Sequence, residues 1–251
     1  MDRIRVAGVV ALAVLVGGCS SATTPQPVPD SSSAAPTSAS PAAYRPVIRP
    51  AEFTSTVTNR YFALPPGSRR VYDGSKDGTP QHVEVTVERS TRMILGVRCA
   101  VVSDVVTSNG SLVEKTTDWF AQDRAGNVWY FGEDSKDYAN GVVTSTHGTW
   151  EAGVDGAQPG IIMLGTPTKG RAYHQEYLPG VAVDQARVLR TDDVVRLAGH
   201  TYRNVVLTED TDPLNPDLIQ HKWYAPGLGQ VKVVRSGSSH HEDLHLSSAH
   251  G

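Results

Sequence analysis

Two Asn-Gly pairs, each set between runs of alternating apolar and polar residues, constrain this chain more than any other feature. Asn109-Gly110 separates Val101–Ser108 from Ser111–Ala121, and Asn140-Gly141 links the Trp129–Tyr138 region to Val142–Trp150. Such a pair supplies positive φ at both central positions of a type I′ turn, whose twist matches that of the antiparallel strands it joins. The alternation is cleanest in His82-Val83-Glu84-Val85-Thr86-Val87-Glu88, which places the valines on one face of a strand and polar groups on the other. Further strand-like runs are Arg70–Asp73, Ala172–Tyr177, Ala186–Arg190, Asp193–Leu197, Asn204–Glu209, His221–Tyr224 and Gln230–Val234. Few windows carry a helical period. The expected fold is therefore mainly β, a single antiparallel meander closed as a barrel or curled as a half-barrel; a β-sandwich is the alternative.

The start of the chain carries an address. Arg3 and Arg5 precede an apolar run from Val6 to Val16, and Val16-Gly17-Gly18-Cys19 follows. At about 1.5 Å of rise per helical residue, this run covers roughly half of a bilayer core of about 30 Å. It suits a secretory signal and is too short to span. Small residues at the cleavage point put Cys19 at the first mature position, the pattern of a bacterial lipobox, whose cysteine is acylated. Several acyl chains on one cysteine anchor a protein stably, where a single chain binds only marginally. The expectation is residues 1–18 as signal peptide and residues 19–50, rich in Ser, Pro and Ala, as a lipidated, disordered tether. Residues 51–235 form the β domain, and residues 236–251 a flexible tail carrying His240, His241, His245 and His250.

Charge and cysteine usage exclude several classes. The whole chain has 23 Lys+Arg against 26 Asp+Glu, and cleavage before Cys19 leaves 21 against 25. That balance provides neither the basic face of a nucleic-acid binder nor a polybasic lipid-binding patch. With Cys19 acylated, Cys99 has no partner in the chain, and its apolar setting predicts a buried, inert thiol.

Aromatic residues cluster between Trp119 and Trp150, where Trp119, Phe120, Trp129, Tyr130, Phe131, Tyr138 and Trp150 are interleaved with Asp118, Asp123, Glu133, Asp134 and Asp137. One reading is structural: the rings fill the core and the acids face water. The other is a cleft floored by rings and edged by carboxylates, suited to a sugar, a lipid head group or another amphipathic ligand. The candidate ligand-binding residues are Trp119, Trp129, Tyr130, Glu133, Asp134, Trp150, Glu151, Asp155, Gln158, Tyr173 and Glu176. Glu151, Asp155 and Gln158 belong to a Gly-rich stretch read as a long loop; Tyr173 and Glu176 lie near His174, in a His-x-Glu pattern that would share one strand face. No cofactor is expected. Calcium is the one ion considered, since Asp118, Asp123, Glu133 and Asp134 offer hard oxygens, but Asp123-Arg124-Ala125-Gly126-Asn127 lacks EF-hand spacing. No nucleophile elbow and no phosphate-binding loop occurs.

Several stretches carry a resemblance: Asn59-Arg60-Tyr61-Phe62 with Leu64-Pro65-Pro66-Gly67, Asp118-Trp119-Phe120-Ala121-Gln122-Asp123, Gly126 to Asp134, Trp150 to Ile162, and Tyr224-Ala225-Pro226-Gly227-Leu228-Gly229. Together they resemble a family of uncharacterised exported bacterial lipoproteins of actinobacterial type, over about residues 57–235. The resemblance implies the extracytoplasmic face of the cell membrane and no particular activity. Three functions stand beside one another at this point. One is a non-enzymatic lipoprotein binding a small amphipathic molecule or an envelope protein. The second is a hydrolase using carboxylates among Asp118, Glu133, Asp134, Glu151 and Glu176. The third is a structural or assembly role.

The address is directly testable. Cys19→Ala should move the protein from the membrane fraction to the soluble extracytoplasmic fraction; retention at the wild-type level contradicts the lipid anchor.

Overall fold

Hairpin turns set the strand order. In a computed structural model that describes residues 44–238 and 240–251, five two-residue turns between directly paired strands have positive φ at both positions. They are Asp77-Gly78, Leu95-Gly96, Asn109-Gly110, Asn140-Gly141 and Ala198-Gly199. Both Asn-Gly turns are where the sequence places them. Leu95 and Ala198 were not legible as turn formers, because neither side chain favours the left-handed region.

The strands are β1 (Phe53–Thr54), β2 (Arg69–Lys76), β3 (Thr79–Ile94), β4 (Val97–Ser108), β5 (Ser111–Asp123), β6 (Val128–Ala139), β7 (Val142–Ser145) and β8 (Trp150–Glu151). There follow β9 (Gln158–Met163), β10 (Ala172–His174), β11 (Glu176–Tyr177), β12 (Gln185–Leu197), β13 (His200–Thr211), β14 (Ile219–Ala225), β15 (Gly229–Ser236) and β16 (His241–His250). All named pairings are antiparallel, and the sheet runs β10-β12-β13-β14-β15-β16-β2-β3-β4-β5-β6-β9-β11. The fold is thus mainly β and the meander is nearly closed into a barrel. Its two edge strands, β10 and β11, are consecutive pieces of one run, separated only by Gln175. β10 pairs with β12 through Ala172↔Arg187, Tyr173↔Ala186 and His174↔Gln185, and β11 pairs with β9 through Glu176↔Pro159 and Tyr177↔Gln158.

One end of the interior is apolar. Val83, Val85 and Val87 of β3 point inward with Val102 and Val106 of β4, Phe120 of β5, Tyr130 of β6 and Val231 of β15. The segment between β1 and β2 plugs this end: Phe62 packs edge-on against Phe120 at 5.4 Å, and Asn59 Nδ2 donates to Gly126 O (2.8 Å) and Leu164 O (3.1 Å). A small cavity of about 30 Å³ beside Phe62, Tyr72 and Gln230 has room for little more than water. The outer wall carries ion pairs such as Arg187–Glu209 (2.6 Å) and Lys232–Asp243 (3.2 Å), unlike the apolar band of a lipid-facing barrel.

Two boundaries differ from the sequence expectation. The segment 236–251 is not a free tail: β16 pairs with β15 through Lys232↔His245 to Ser236↔His241 and with β2 through Glu242↔Lys76 to His250↔Arg69. Its inward residues, Glu242, Leu244 and Leu246, are buried, and without β16 the facing edges of β15 and β2 would be unpaired. Only two apolar residues mark this alternation, and the surrounding His and Ser residues hide it. The tether also ends sooner than residue 50. The Tyr44 hydroxyl donates to Pro159 O (3.1 Å), and its ring packs against His174 (4.5 Å) and Tyr177 (5.5 Å), covering the closing run. The signal peptide, Cys19 and the rest of residues 1–43 lie outside the described residues.

Ala198 is exposed with φ 47°, a conformation that asparagine tolerates better. Ala198→Asn is expected to raise unfolding stability by about 0.5–1 kcal/mol in urea denaturation; a decrease contradicts the turn assignment.

Candidate functional site

A single bulge decides which residues of the aromatic–acidic segment face inward. Register slips between Trp119↔Gly132 and Phe120↔Tyr130, and Gly132 takes φ 137°. Before the bulge Tyr130 points inward; after it Glu133 and Ser135 do, opposite Asp118 and Thr116. A Cβ at Gly132 would lie 2.4 Å from Trp150 O, 2.9 Å from Glu151 Cα and 3.2 Å from Trp119 Cε3. Glycine therefore lets β8 lie close on β6 and lets the Trp119 ring lie across the strand.

The inward faces form a polar girdle above the apolar end. Among the described residues, Asp104, Glu114, Asp118, Glu133, Glu176, Asp184, Asp210, Asp212 and Glu242 are buried, against only two buried cations, Lys222 and Arg235. Asp210 is fully engaged: Lys222 Nζ lies 2.8 Å from Oδ2, Gln175 Nε2 donates to Oδ2 (3.1 Å), and Thr208 Oγ1 donates to Oδ1 (2.7 Å). Arg235 and Glu242 form a second buried pair at 3.6 Å. Burial lowers Lys76 to about 8, and nearby Arg235 adds to that effect.

Burial and the crowding of like charges raise several of these carboxyls above their ordinary range. Burial pushes Asp118 from its ordinary 3.8 up to about 7; the Tyr130 hydroxyl, donating to Oδ1 at 2.6 Å, opposes the rise and Glu114 adds to it. Burial, then the neighbouring Asp184 and Glu133, hold Glu176 well above the usual carboxyl range, with the Trp150 indole N–H opposing. Asp184 is raised by burial and by Asp212, against Lys222. Cys99 is likewise inert, its thiol raised to about 12 by burial.

Outside this interior, the wall at β5, β6 and β8 carries a cleft of about 360 Å³. It is lined by Arg92, Trp119, Asp134, Thr149, Trp150, Glu151, Val154, Asp155 and Leu178. Trp150 stands between the two regions: it lines the cleft, and its ring meets Tyr130 edge-on at 5.3 Å. The turn after β8 is held by its own backbone, with Val154 N donating to Glu151 O (3.0 Å) and Gly153 N to Ala157 O (2.9 Å). The stretch read as a long loop is thus a tight turn between β8 and β9. Arg92 closes the cleft from β3, its Nη2 donating to Glu151 Oε2 at 2.5 Å and its guanidinium carbon 4.1 Å from the Trp119 ring centroid. A second depression of about 540 Å³, near Lys169 and Arg171, is more open and has no aromatic lining.

Of the eleven candidate residues, the cleft gathers Trp119, Asp134, Trp150, Glu151 and Asp155. Tyr130, Glu133 and Glu176 are buried in the interior girdle instead. The Tyr173 hydroxyl is buried too, and the residue as a whole is partly buried against the core. Trp129 lies apart, packed on Phe53 at 5.9 Å with its indole donating to Asp123 Oδ2 (2.8 Å). Gln158 donates to Gly156 O (3.0 Å) and braces the turn. The calcium set does not converge: Asp118 and Glu133 are buried, Asp134 pairs with Lys136 (2.5 Å), and Asp123 accepts from Asn127 and Trp129. Among the described residues no group of three or more His, Cys, Asp or Glu side chains is placed to hold a metal ion. His174 and Glu176 do not share a face. The alternation breaks at Gln175, leaving His174 under Tyr44 and Glu176 in the interior. Arg92, Val154 and Leu178 were not among the candidates. Arg92 arrives through a second register shift, between Val87 and Thr91, that no local pattern announces.

No protein-family model and no curated protein matches the sequence. Two solved structures are similar in fold. One, from Bacteroides fragilis, is described as an exported protein with a YmcC-like fold; it has TM-score 0.44 and 10% identity over 76% of this chain and 99% of its own. The other, from Parabacteroides distasonis, is described as a lipoprotein; it has TM-score 0.41 and 10% identity over 76% of this chain and 98% of its own.

The Asp118 environment sets a pH dependence. Its folded pKa lies above its unfolded value, so between pH about 4 and about 7 the folded state binds more protons and stability falls as pH rises. Asp118→Asn keeps the acceptor for Tyr130 and should flatten this fall in melting temperature measured across that window. An unchanged slope contradicts the raised carboxyl.

Proposed function

We propose that this chain is a membrane-anchored cell-envelope lipoprotein on the extracytoplasmic face, whose β-barrel binds an amphipathic small molecule in the cleft between Trp119, Trp150 and Glu151. The address rests on the lipobox at Cys19 and on the resemblance to exported lipoproteins. The binding reading rests on one observation. Five candidate residues, drawn from three separate strands and a turn, line a single concavity of about 360 Å³, within the range of small-ligand sites. Rings on its floor and carboxylates at its edge suit a ligand with one apolar and one polar side. The carboxylates named for hydrolysis are split, with Asp118, Glu133 and Glu176 buried in the interior and Asp134 and Glu151 in the cleft. They do not form one site, which favours binding over catalysis.

Val154 is an exposed cleft residue, so Val154→Arg fills the cleft without touching the core. In native mass spectrometry of protein taken from its own envelope, wild type should carry a non-covalent small-molecule adduct that Val154→Arg lacks. An adduct held equally by both forms, or by neither, contradicts the cleft as the binding site.

A further inference from the structure

The cleft already holds a cation of the protein's own. Arg92 lies with its guanidinium carbon 4.1 Å from the Trp119 ring centroid and donates to Glu151 at 2.5 Å, yet its side chain is 48% exposed. The two groups receiving it are held independently of it. Trp119 is only 4% exposed and lies against Gly132, while Glu151 is fixed by β8 pairing to β6 through Gly132↔Glu151 and by the bond from Val154 N to its carbonyl. An indole face beside a carboxylate is the complement of an organic cation: the ring quadrupole attracts the charge and the carboxylate pairs with it. Asp134 and Asp155 join Glu151 in the lining, where Arg92 is the one cation; Lys136, outside the lining, pairs with Asp134. An anion entering here would meet three carboxylates, with the nearby cations Arg92 and Lys136 each already paired with one of them.

We infer that the cleft binds its amphipathic ligand through a cationic head, an ammonium or guanidinium group, which takes the seat on Trp119 and Glu151 that Arg92 occupies. Arg92 swings to solvent, where half of its side chain already lies, and the ligand's apolar part rests on Trp150, Val154 and Leu178. This inference rests on the cleft being the binding site. Arg92 is then an internal competitor. A seat filled for most of the time lowers the apparent affinity by the fraction left open, so emptying it strengthens binding.

The test uses three probes of one chain length, octyltrimethylammonium, octyl glucoside and octanoate, titrated below their aggregation concentrations and followed by calorimetry. Wild type should bind the ammonium in preference to the other two. Arg92→Ala, and Arg92→Gln as a second variant, should bind it about tenfold more tightly. Glu151→Gln should bind it about tenfold more weakly, and Val154→Arg should abolish binding; thermal melts confirm that each variant is folded. If octanoate or the glucoside is preferred, or if both Arg92 variants bind the ammonium no more tightly than wild type, while Val154→Arg still blocks binding, the cationic inference is overturned and the cleft stands. If no probe binds wild type or the Arg92 variants, or if Val154→Arg changes nothing, the cleft reading fails and this inference with it.

Discussion

The barrel depends on a single run of chain, Ala172–Tyr177, that serves both edges of the sheet. Its first half pairs with β12 and its second half with β9, so the gap between β9 and β12 is spanned by covalent continuity as well as by hydrogen bonds. The pairing is short on both sides. Close approach is possible because Gly160 has no side chain: a Cβ there would lie 2.3 Å from the Gln175 carbonyl carbon and 2.6 Å from His174 O. Tyr44, at the end of the segment leading from the chain start, covers this run from outside. Without closure, Glu176, Gln175 and Tyr173 would stand at a sheet edge instead of contributing to the interior.

Closure also explains the charge chemistry. A meander rolled on itself turns every second residue inward, whatever its polarity, and the β5, β6, β13 and β16 sequences carry acids at those positions. Lys222 and Arg235 neutralise only part of this charge. Burial and the crowding of like charges disfavour the ionised form of the rest, and for this reason Asp118, Glu176 and Asp184 share raised pKa values. The wall outside follows the opposite logic. There Glu151 is bonded to Arg92 and partly exposed, at the rim of the cleft rather than in the interior.

Much of the fold was legible. Alternation and the two Asn-Gly turns pointed to an antiparallel meander, and most strand-like runs fall within observed strands, while Val142–Trp150 and Ala172–Tyr177 each divide between two. The cleft was partly legible, because a high density of tryptophan and acid between residues 119 and 155 already marked that wall. What escaped was anything set by a bulge or by distant pairing. The slip at Gly132 sends Tyr130 and Glu133 inward and leaves Asp134 in the cleft, although the three are near neighbours in sequence. Arg92, from a hairpin far upstream, reaches Glu151 across the wall. The last strand was missed because Leu244 and Leu246 alone carry its alternation, while its stability comes from the two edges it fills.

By itself, then, the sequence determined the β class, the turn positions with favourable residues, the lipobox pattern and the aromatic–acidic composition of one wall. These are local properties, set by side-chain size, φ preference and spacing along the chain. The tertiary structure decided which acids are buried with raised pKa values, which line the cleft, and which cation lies in it. Those outcomes depend on register shifts and on the closing run meeting both β9 and β12. Both are fixed by pairing between residues far apart in the chain, where a displacement of one position reverses the face of every side chain that follows.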